Sequence, residues 1–562
     1  SGSSGGSGGS SSFPLPDEMV PFGGSGQEPS GQCDLSGQSS GYQPSGCGIG
    51  ASCLPIRYFN GGMILTETDL ASGGMGMPWS HARSMANQMD QNVSFGNGNS
   101  WLPMPSTCYI KDVDGDGDTI AVVMSPQDAC WFDKTGSVYG ARHGIKDELD
   151  VDTDVIVFRR PDGSVYTFHD FDQTHQGLLK SIASRGGSTV EFSYNSDGKV
   201  SEVKRTSGST TESFAYTYLG STDDNEGELE EVLCRRKVGE GSWNNMACCQ
   251  YTDYDGTTAH GNLGDLEFAK RREWTGSAWG TEKKTYYRYY KDSAGGTGYQ
   301  HGLKLVVSGE GLSRATNPTT ATDAQLKDYA TKYFEYDSLQ CCTCEENDGG
   351  SLSTTFSYST SSHSEGYNNW KRKTTETMPN GDQKVVYTNF VGQVLIQELV
   401  SGSDSWIDYY KYDSNGRLIE HAMPSAVSSY NDTNANLGVS LNSSSGLIYV
   451  TDYYSTTTAT STVAGGAAGY VQYEKIKKGS SGTEVKLREY KYFKRTADGF
   501  STYPTAEEIV YRSDASGGSD SVTTEYAYTF HTDVHEVSQA TTTLPAVPTS
   551  ENGENSTDDV ID

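Results

Sequence analysis

The chain has 562 residues, with 42 Lys and Arg against 73 Asp and Glu, for a formal net charge of −31 at pH 7. That deficit of cations argues against nucleic acid, whose phosphates need clustered Lys and Arg, and against anionic membrane surfaces. Only 34% of residues are hydrophobic while Gly (65) and Tyr (36) are abundant, and no apolar run reaches the roughly 18 residues of a membrane span.

Residues 1–50 open on Ser1-Gly-Ser-Ser-Gly-Gly-Ser and stay rich in Gly, Ser, Gln and Pro. Such a composition cannot offset ordering entropy alone, so a flexible or draped segment is expected. It shows neither the basic start nor the apolar core of a secretion signal. Cys33, Cys47 and Cys53 lie in or beside it, where a disulfide would restrain a segment with little core of its own.

Residues 51–150 are expected to form an N-terminal β region. Within it, Asp112-Val-Asp114-Gly-Asp116-Gly-Asp118 alternates carboxylates around a central Gly, as the first half of a calcium loop does. The twelfth position holds Val123 rather than Glu, inside the strand-like residues 119–124. An acidic hairpin turn accounts for the same residues.

From residue 151 to about 540 the chain repeats itself. Phe192-Ser-Tyr194-Asn195-Ser-Asp-Gly198-Lys-Val200 and Tyr410-Lys-Tyr412-Asp413-Ser-Asn-Gly416-Arg-Leu418 share every offset, and Tyr387-Thr-Asn389-Phe-Val-Gly392-Gln-Val394 is a third copy. Alternating rings suit a strand that buries one face. Asp or Asn then bonds its own downstream backbone, and Gly takes the positive φ that closes a hairpin. The opposite end of the unit recurs as Pro161-Asp162-Gly163 and Pro379-Asn380-Gly381, so each unit reads as a hairpin between two turns. Weaker relatives stand at Phe214–Tyr218, Tyr286–Tyr290, Tyr333–Asp337, Phe356–Tyr358, Tyr490–Phe493 and Tyr526–Tyr528, at intervals expected of stacked supersecondary repeats. Residues 322–334 are the best helical window.

Chemistry-bearing patterns are sparse. Gly-x-Ser-x-Gly occurs only in the Ser/Gly-rich start, without a strand-turn-helix setting. His531-Thr-Asp-Val-His535 has the spacing of helical zinc ligands but follows a strand, where residues four apart stand about 13 Å from each other; a solvent-exposed pair is expected. Cys341-Cys342-Thr-Cys344 has no second C-x2-C partner, which points to disulfides or buried thiols rather than a soft metal site. The eleven cysteines cannot all pair internally. Residues 541–562 read as an acidic tail or linker. No catalytic residue and no cofactor beyond calcium at Asp112, Asp114, Asp116 and Asp118 is indicated.

The repeat unit resembles the YD repeat of the RHS family, found also in teneurins, in C components of insecticidal toxin complexes and in bacterial wall-associated proteins. The resemblance covers about residues 150–540. The stretch from Ser52-Cys53-Leu-Pro-Ile-Arg57-Tyr58 through Thr68-Asp69-Leu70, Trp79-Ser-His81-Ala-Arg83 and Gly96-Asn-Gly98-Asn-Ser-Trp101 looks like the segment that opens RHS proteins, and would begin the first sheet. The resemblance implies an all-β fold: antiparallel β-hairpin repeats forming a spiralling ribbon or partial YD shell, hollow, with tyrosines stacked along its wall. The Asp- and Pro-rich self-cleavage segment of many RHS proteins has no counterpart here, and the hairpins look too few for a large cocoon, which suggests a shell segment. The leading expectation is a non-enzymatic, secreted or cell-surface structural or adhesive protein of bacterial type, with a surface glycan, a protein ligand or a second copy as partner. A shell segment of an RHS-type toxin encapsulation and delivery protein is the alternative, and a secreted glycan-acting enzyme or carbohydrate-binding module the third, since fold does not fix function.

Overall fold

The computed structural model describes residues 51–561 apart from residues 53–55, 64, 86, 88–95, 105–107, 126–127, 548 and 552–555. Cys33, Cys47 and Cys53, and with them the expected disulfide, lie outside the described residues.

Regular structure is almost entirely β, and nearly all of it belongs to one antiparallel ribbon that runs from Tyr109–Asp112 to Asp558–Ile561. Each strand pairs with its predecessor in sequence. Two small hairpins, Val427–Ser429 with Ser440–Leu441 and Arg495–Ala497 with Phe500–Thr502, sit in connections outside it. The ribbon's two ends do not meet in a barrel. The helical expectation for 322–334 holds for its first turn only. Asp323–Lys327 is helical, capped reciprocally by Thr322 and Gln325, but Lys332–Tyr336 returns to the sheet, where Tyr333 and Phe334 find cross-strand partners in Glu346 and Glu345.

The turns form by the chemistry that their residues dictate. Asp413 Oδ1 accepts from the backbone N–H of Asn415 and of Arg417, both at 2.9 Å. Asn195 does the same toward Asp197 and Lys199, and Asn389 toward Val391 and Gln393. Gly416 holds φ 79°, and a Cβ there would stand 2.7 Å from the Tyr367 ring. Asp337 builds the same turn with Gln340 at φ 61° in place of Gly.

Where the turns at Asn195, Asp337 and Asp413 begin, and at comparable strand positions elsewhere, a tyrosine ties the ribbon across a hairpin, while Thr388 precedes the Asn389 turn. The Tyr412 hydroxyl donates to the Val394 carbonyl at 2.8 Å, Tyr453 to Leu418 at 2.9 Å, Tyr492 to Val471 at 2.8 Å and Tyr528 to Thr505 at 2.9 Å. Tyr194, Tyr218, Tyr336 and Tyr358 repeat the bond toward Leu179, Val200, Leu303 and Cys342. A register shift falls directly before Tyr194, Tyr218, Tyr336, Tyr412, Tyr453 and Tyr492. The next strand therefore carries one extra residue at the same edge each time, a bulge that bends and twists the ribbon.

The accumulated bend coils the ribbon on itself. His143 Nδ1 lies 2.8 Å from the Tyr367 hydroxyl, Lys146 stands over the Tyr470 ring, Arg159 over Phe500, and the His535 amide donates to the Arg185 carbonyl at 3.1 Å. The inner face of the coil is filled by the chain itself. Thr66–Ser72, Trp79–Met85 and Trp101–Met104 form a three-stranded sheet of their own, first in chain order and separate from the ribbon. Six of the seven residues of Trp79–Met85 are buried, so this strand needs cover on both faces. Leu65, Leu70, Trp79, Met85 and Trp101 share one buried cluster with Phe192, Val203, Phe214, Val232, Tyr251, Tyr287 and Phe334 of the wall.

We predict that Tyr412→Phe, which deletes only the hydroxyl tie, destabilises by about 1 kcal/mol, and that Tyr412→Ala, which also empties the ring's seat, does so by about 3–5 kcal/mol. Melts followed by circular dichroism read both. An unchanged midpoint in the Phe variant would remove the tie from the account.

Candidate functional site

Charged side chains concentrate where the inner sheet meets the wall. Asp69 and Arg83, cross-strand near-neighbours, form a bidentate pair, with Nη2 to Oδ1 at 2.9 Å. The same guanidinium donates to the Tyr287 hydroxyl at 3.1 Å and lies 4.8 Å from the Trp101 ring centroid. Trp101 Nε1 donates to the Tyr289 hydroxyl at 2.9 Å. The Tyr251 hydroxyl donates to Asp69 Oδ2 at 2.6 Å, so the His81 Nε2 that stands 2.9 Å from it must be the donor of that contact. His81 Nδ1 is then left to accept from Tyr216 at 3.3 Å, which assigns a neutral imidazole with its proton on Nε2.

Burial alone would raise the Asp69 carboxyl, but the Arg83 guanidinium holds it below its ordinary value. Burial pushes His81 down to about 4, against the pull of Asp69. A second buried group lies one hairpin away. Glu212, fully buried, accepts from Arg205 at 2.6 Å, from Arg236 at 2.6 Å and from Ser72 at 2.7 Å. Arg205 also donates to the Ser72 carbonyl at 2.9 Å, and Tyr58 to Glu376 at 2.6 Å. The ion pairs stay within one layer, Asp69–Arg83 in the inner sheet and Glu212 with Arg205 and Arg236 in the wall. The hydrogen bonds involving Tyr251, Tyr287, Trp101, Ser72, Arg205 and Tyr58 join the two layers, so these bonds do the chemistry of docking.

The residues singled out in the sequence lie elsewhere. Asp112, Asp114, Asp116 and Asp118 occupy the turn between Tyr109–Asp112 and Thr119–Ser125. Asp112 Oδ1 accepts from the N–H groups of Gly115 and Gly117 at 2.9 and 3.1 Å, and Asp116 Oδ1 from Asp118 at 3.2 Å. A hydrogen bond with Asp114 raises the Asp116 carboxyl. This is the geometry of an acidic hairpin turn. Among the described residues no group of three or more His, Cys, Asp or Glu is arranged to hold a metal ion. His531 and His535 are not the exposed pair expected: His535 is buried against Phe500, with Thr502 Oγ1 3.0 Å from Nδ1. Cys342 and Cys344 are buried free thiols, as are Cys234, Cys248 and Cys249, and Cys108 and Cys341 are buried. No described helix is long and apolar enough to cross a membrane.

Asp69, His81 and Arg83 were quoted in the sequence only as part of a resemblance. The signal available was the placing of three ionisable residues on two strands otherwise built to be buried.

No family model matches the chain, and no curated protein matches it. Solved structures to which it is similar include the Photorhabdus luminescens Tc holotoxin pore carrying a TccC3 mutation, at 10% identity over 76% of this chain and 24% of that one, with a TM-score of 0.28. TcdB2–TccC3 without its hypervariable C-terminal region is 9% identical over 76% and 25% of the two chains, with a TM-score of 0.29. TcdB2–TccC3–Cdc42 is 10% identical over 78% and 20%, with a TM-score of 0.26. The chain spans at most a quarter of the length of these chains. At such scores the likeness carries no argument.

Because His81 is neutral when folded, with its pKa lowered from 6.5 to about 4, its contribution is intact above pH 6.5 and is lost as pH falls toward about 4. His143 is lowered to about 4 as well, by burial first and Arg142 second. We predict that the melting midpoint falls across this window and that His81→Gln reduces the slope without abolishing it. A slope identical in the variant would take His81 out of the acid response.

Proposed function

We propose that the chain is a non-enzymatic wall segment of a YD-repeat shell, acting outside the cell, in which the curved β-ribbon is the working part and the N-terminal sheet its internal plug. One observation supports this reading most: the same tyrosine tie and bulge recur at one ribbon edge, so curvature is built into the repeat rather than added at one place. The plug supports it further, since buried hydrogen bonds to its charged groups hold it to the inner face and would be costly to leave unmade. The buried carboxylates Asp69 and Glu212 are each neutralised by arginine, an arrangement for docking rather than for proton transfer.

Single-particle electron microscopy of the native full-length protein tests the reading. A curved shell with density on its inner face is expected. An open sheet, rod or filament would overturn enclosure and favour the structural or adhesive surface role, with a glycan, a protein or a second copy as partner. Hydrolysis of a polysaccharide by the purified protein would overturn the non-enzymatic assignment.

A further inference from the structure

The strands Lys332–Tyr336 and Cys342–Asn347 form a hairpin, and at its open end Lys332 stands directly opposite Asn347. Glu345 is opposite Phe334 in the same register, so it shares their face and sits diagonally from Lys332. The three polar side chains converge there. Lys332 Nζ donates to Glu345 Oε1 and, at 3.4 Å, to Asn347 Oδ1, while Asn347 Nδ2 donates at 3.4 Å to the same Glu345 Oε1.

The carboxylate is out of water. Glu345 is 0% exposed, and its cross-strand neighbours Phe334 and Thr354, like Val306 opposite Lys332, are buried as well. Its second oxygen, Oε2, is buried without a hydrogen-bond partner. A buried ion pair that serves stability alone has both carboxylate oxygens satisfied. Here an amine and an amide share one oxygen while the other stays bare, and a bare buried oxygen calls for an explanation, of which a chemical role is one. Burial raises the Glu67 carboxyl of the inner sheet above its ordinary value, against the pull of Arg83 and of Lys332, so a second acid stands near the amine.

An amine held against a carboxamide, with one carboxyl bonded to both nitrogens, is arranged for transamidation. The amide carbon is one bond from the oxygen that Nζ already touches, and a nucleophile held at such range is placed for attack. We propose that Lys332 and Asn347 join in an intramolecular isopeptide bond, with Glu345 as the proton carrier. Glu345 takes a proton from the Lys332 ammonium, Nζ attacks Asn347 Cγ, and the carboxyl passes the proton to Nδ2 as the Cγ–Nδ2 bond breaks. Of the ammonium's three protons, one stays on the new amide and two leave with Nδ2, which departs as ammonium. Glu345 ends as it began, and the step consumes no oxidant and no second substrate. The bond closes the hairpin at its open end, so the two strands cannot part there without breaking a covalent bond.

The test is intact mass spectrometry of the reduced full chain, followed by protease digestion and sequencing of the peptides. A mass lower than that of the sequence by one ammonia is expected, together with a branched peptide that joins Lys332 to Asn347. Glu345→Gln, which keeps the shape but removes the proton carrier, should slow formation of the bond by about 100-fold or more. Asn347→Ala, at the half-buried end of its strand, should keep the full sequence mass and lose the branched peptide, and provides the reading if Glu345→Gln does not fold. The parent chain at its full sequence mass overturns the bond and leaves an ion pair. Loss of ammonia without the branched peptide overturns it too, because an imide ring at an asparagine gives that mass with no cross-link. A branched peptide that forms undiminished in Glu345→Gln overturns the role of the glutamate.

Discussion

Much of the wall's curvature depends on where a tyrosine hydroxyl meets a bulge. Leu418 pairs with Tyr412 across the register shift, and its carbonyl receives the hydroxyl of Tyr453. Val471 pairs with Tyr453 and receives Tyr492; Thr505 pairs with Tyr492 and receives Tyr528. The carbonyl exposed by one bulge is thus satisfied by the next tyrosine along, and the ties form a relay. A bulge alone would leave backbone groups unmatched at a half-buried edge, which is unfavourable; a tyrosine alone would not bend the sheet. Burial keeps the donors in place over a wide pH range, pushing Tyr453 and Tyr528 up to about 12.

The plug obeys a different rule. Wall repeats are stabilised by contacts between neighbours, whereas Asp69, His81 and Arg83 reach wall residues such as Tyr251 and Tyr287 far away in sequence. Hydrogen bonds to charged groups are stronger than neutral ones, and a buried charge left without them is strongly unfavourable. They make one docked position acceptable and its neighbours poor. A curved wall built of repeated turns offers many near-equivalent seats, and directional hydrogen bonds to the plug's charged groups discriminate among them where apolar contact could not.

How much of this the sequence disclosed follows from the range of the interactions. Hairpins at Asn195, Asn389 and Asp413 were legible because their turns use side chains within four residues of the backbone groups they bind. The Asp337 turn was obscured because Gln340 holds the position that Gly holds elsewhere. The ties were half legible: the Tyr-x-Tyr pattern named the residue, but the acceptor lies 16 residues back for Tyr358 and 35 back for Tyr453, separations too variable to appear as a motif. The bulges left no mark, since an extra residue such as Ile419 is ordinary in composition. That this first sheet stands apart from the ribbon was not legible, because pairing partners in a sheet are a matter of topology, and Thr66–Ser72 and Trp79–Met85 look like any other hairpin. His535 was misplaced for the related reason that its cover, Phe500 and Thr502, comes from another hairpin.

Local ties and remote docking also differ in when they can form. A hairpin with its Asx turn and tyrosine closes over a short loop, so its entropic cost is small and its formation fast. The coil contacts, such as His143 with Tyr367 and Arg185 with His535, close loops of hundreds of residues and must wait until the intervening bulges have set the curvature. The inner segment precedes the ribbon in sequence yet has its full set of partners only once strands as far on as Asp404–Tyr412 are in place, since Tyr58 packs on Val386, Val394 and Tyr410. Until then Arg83 and Asp69 have each other and water. Their mutual bidentate pair within the inner sheet keeps both charges satisfied before the wall arrives, and the wall's tyrosines then add hydroxyls to a pair already made, which avoids burying either charge alone at any stage.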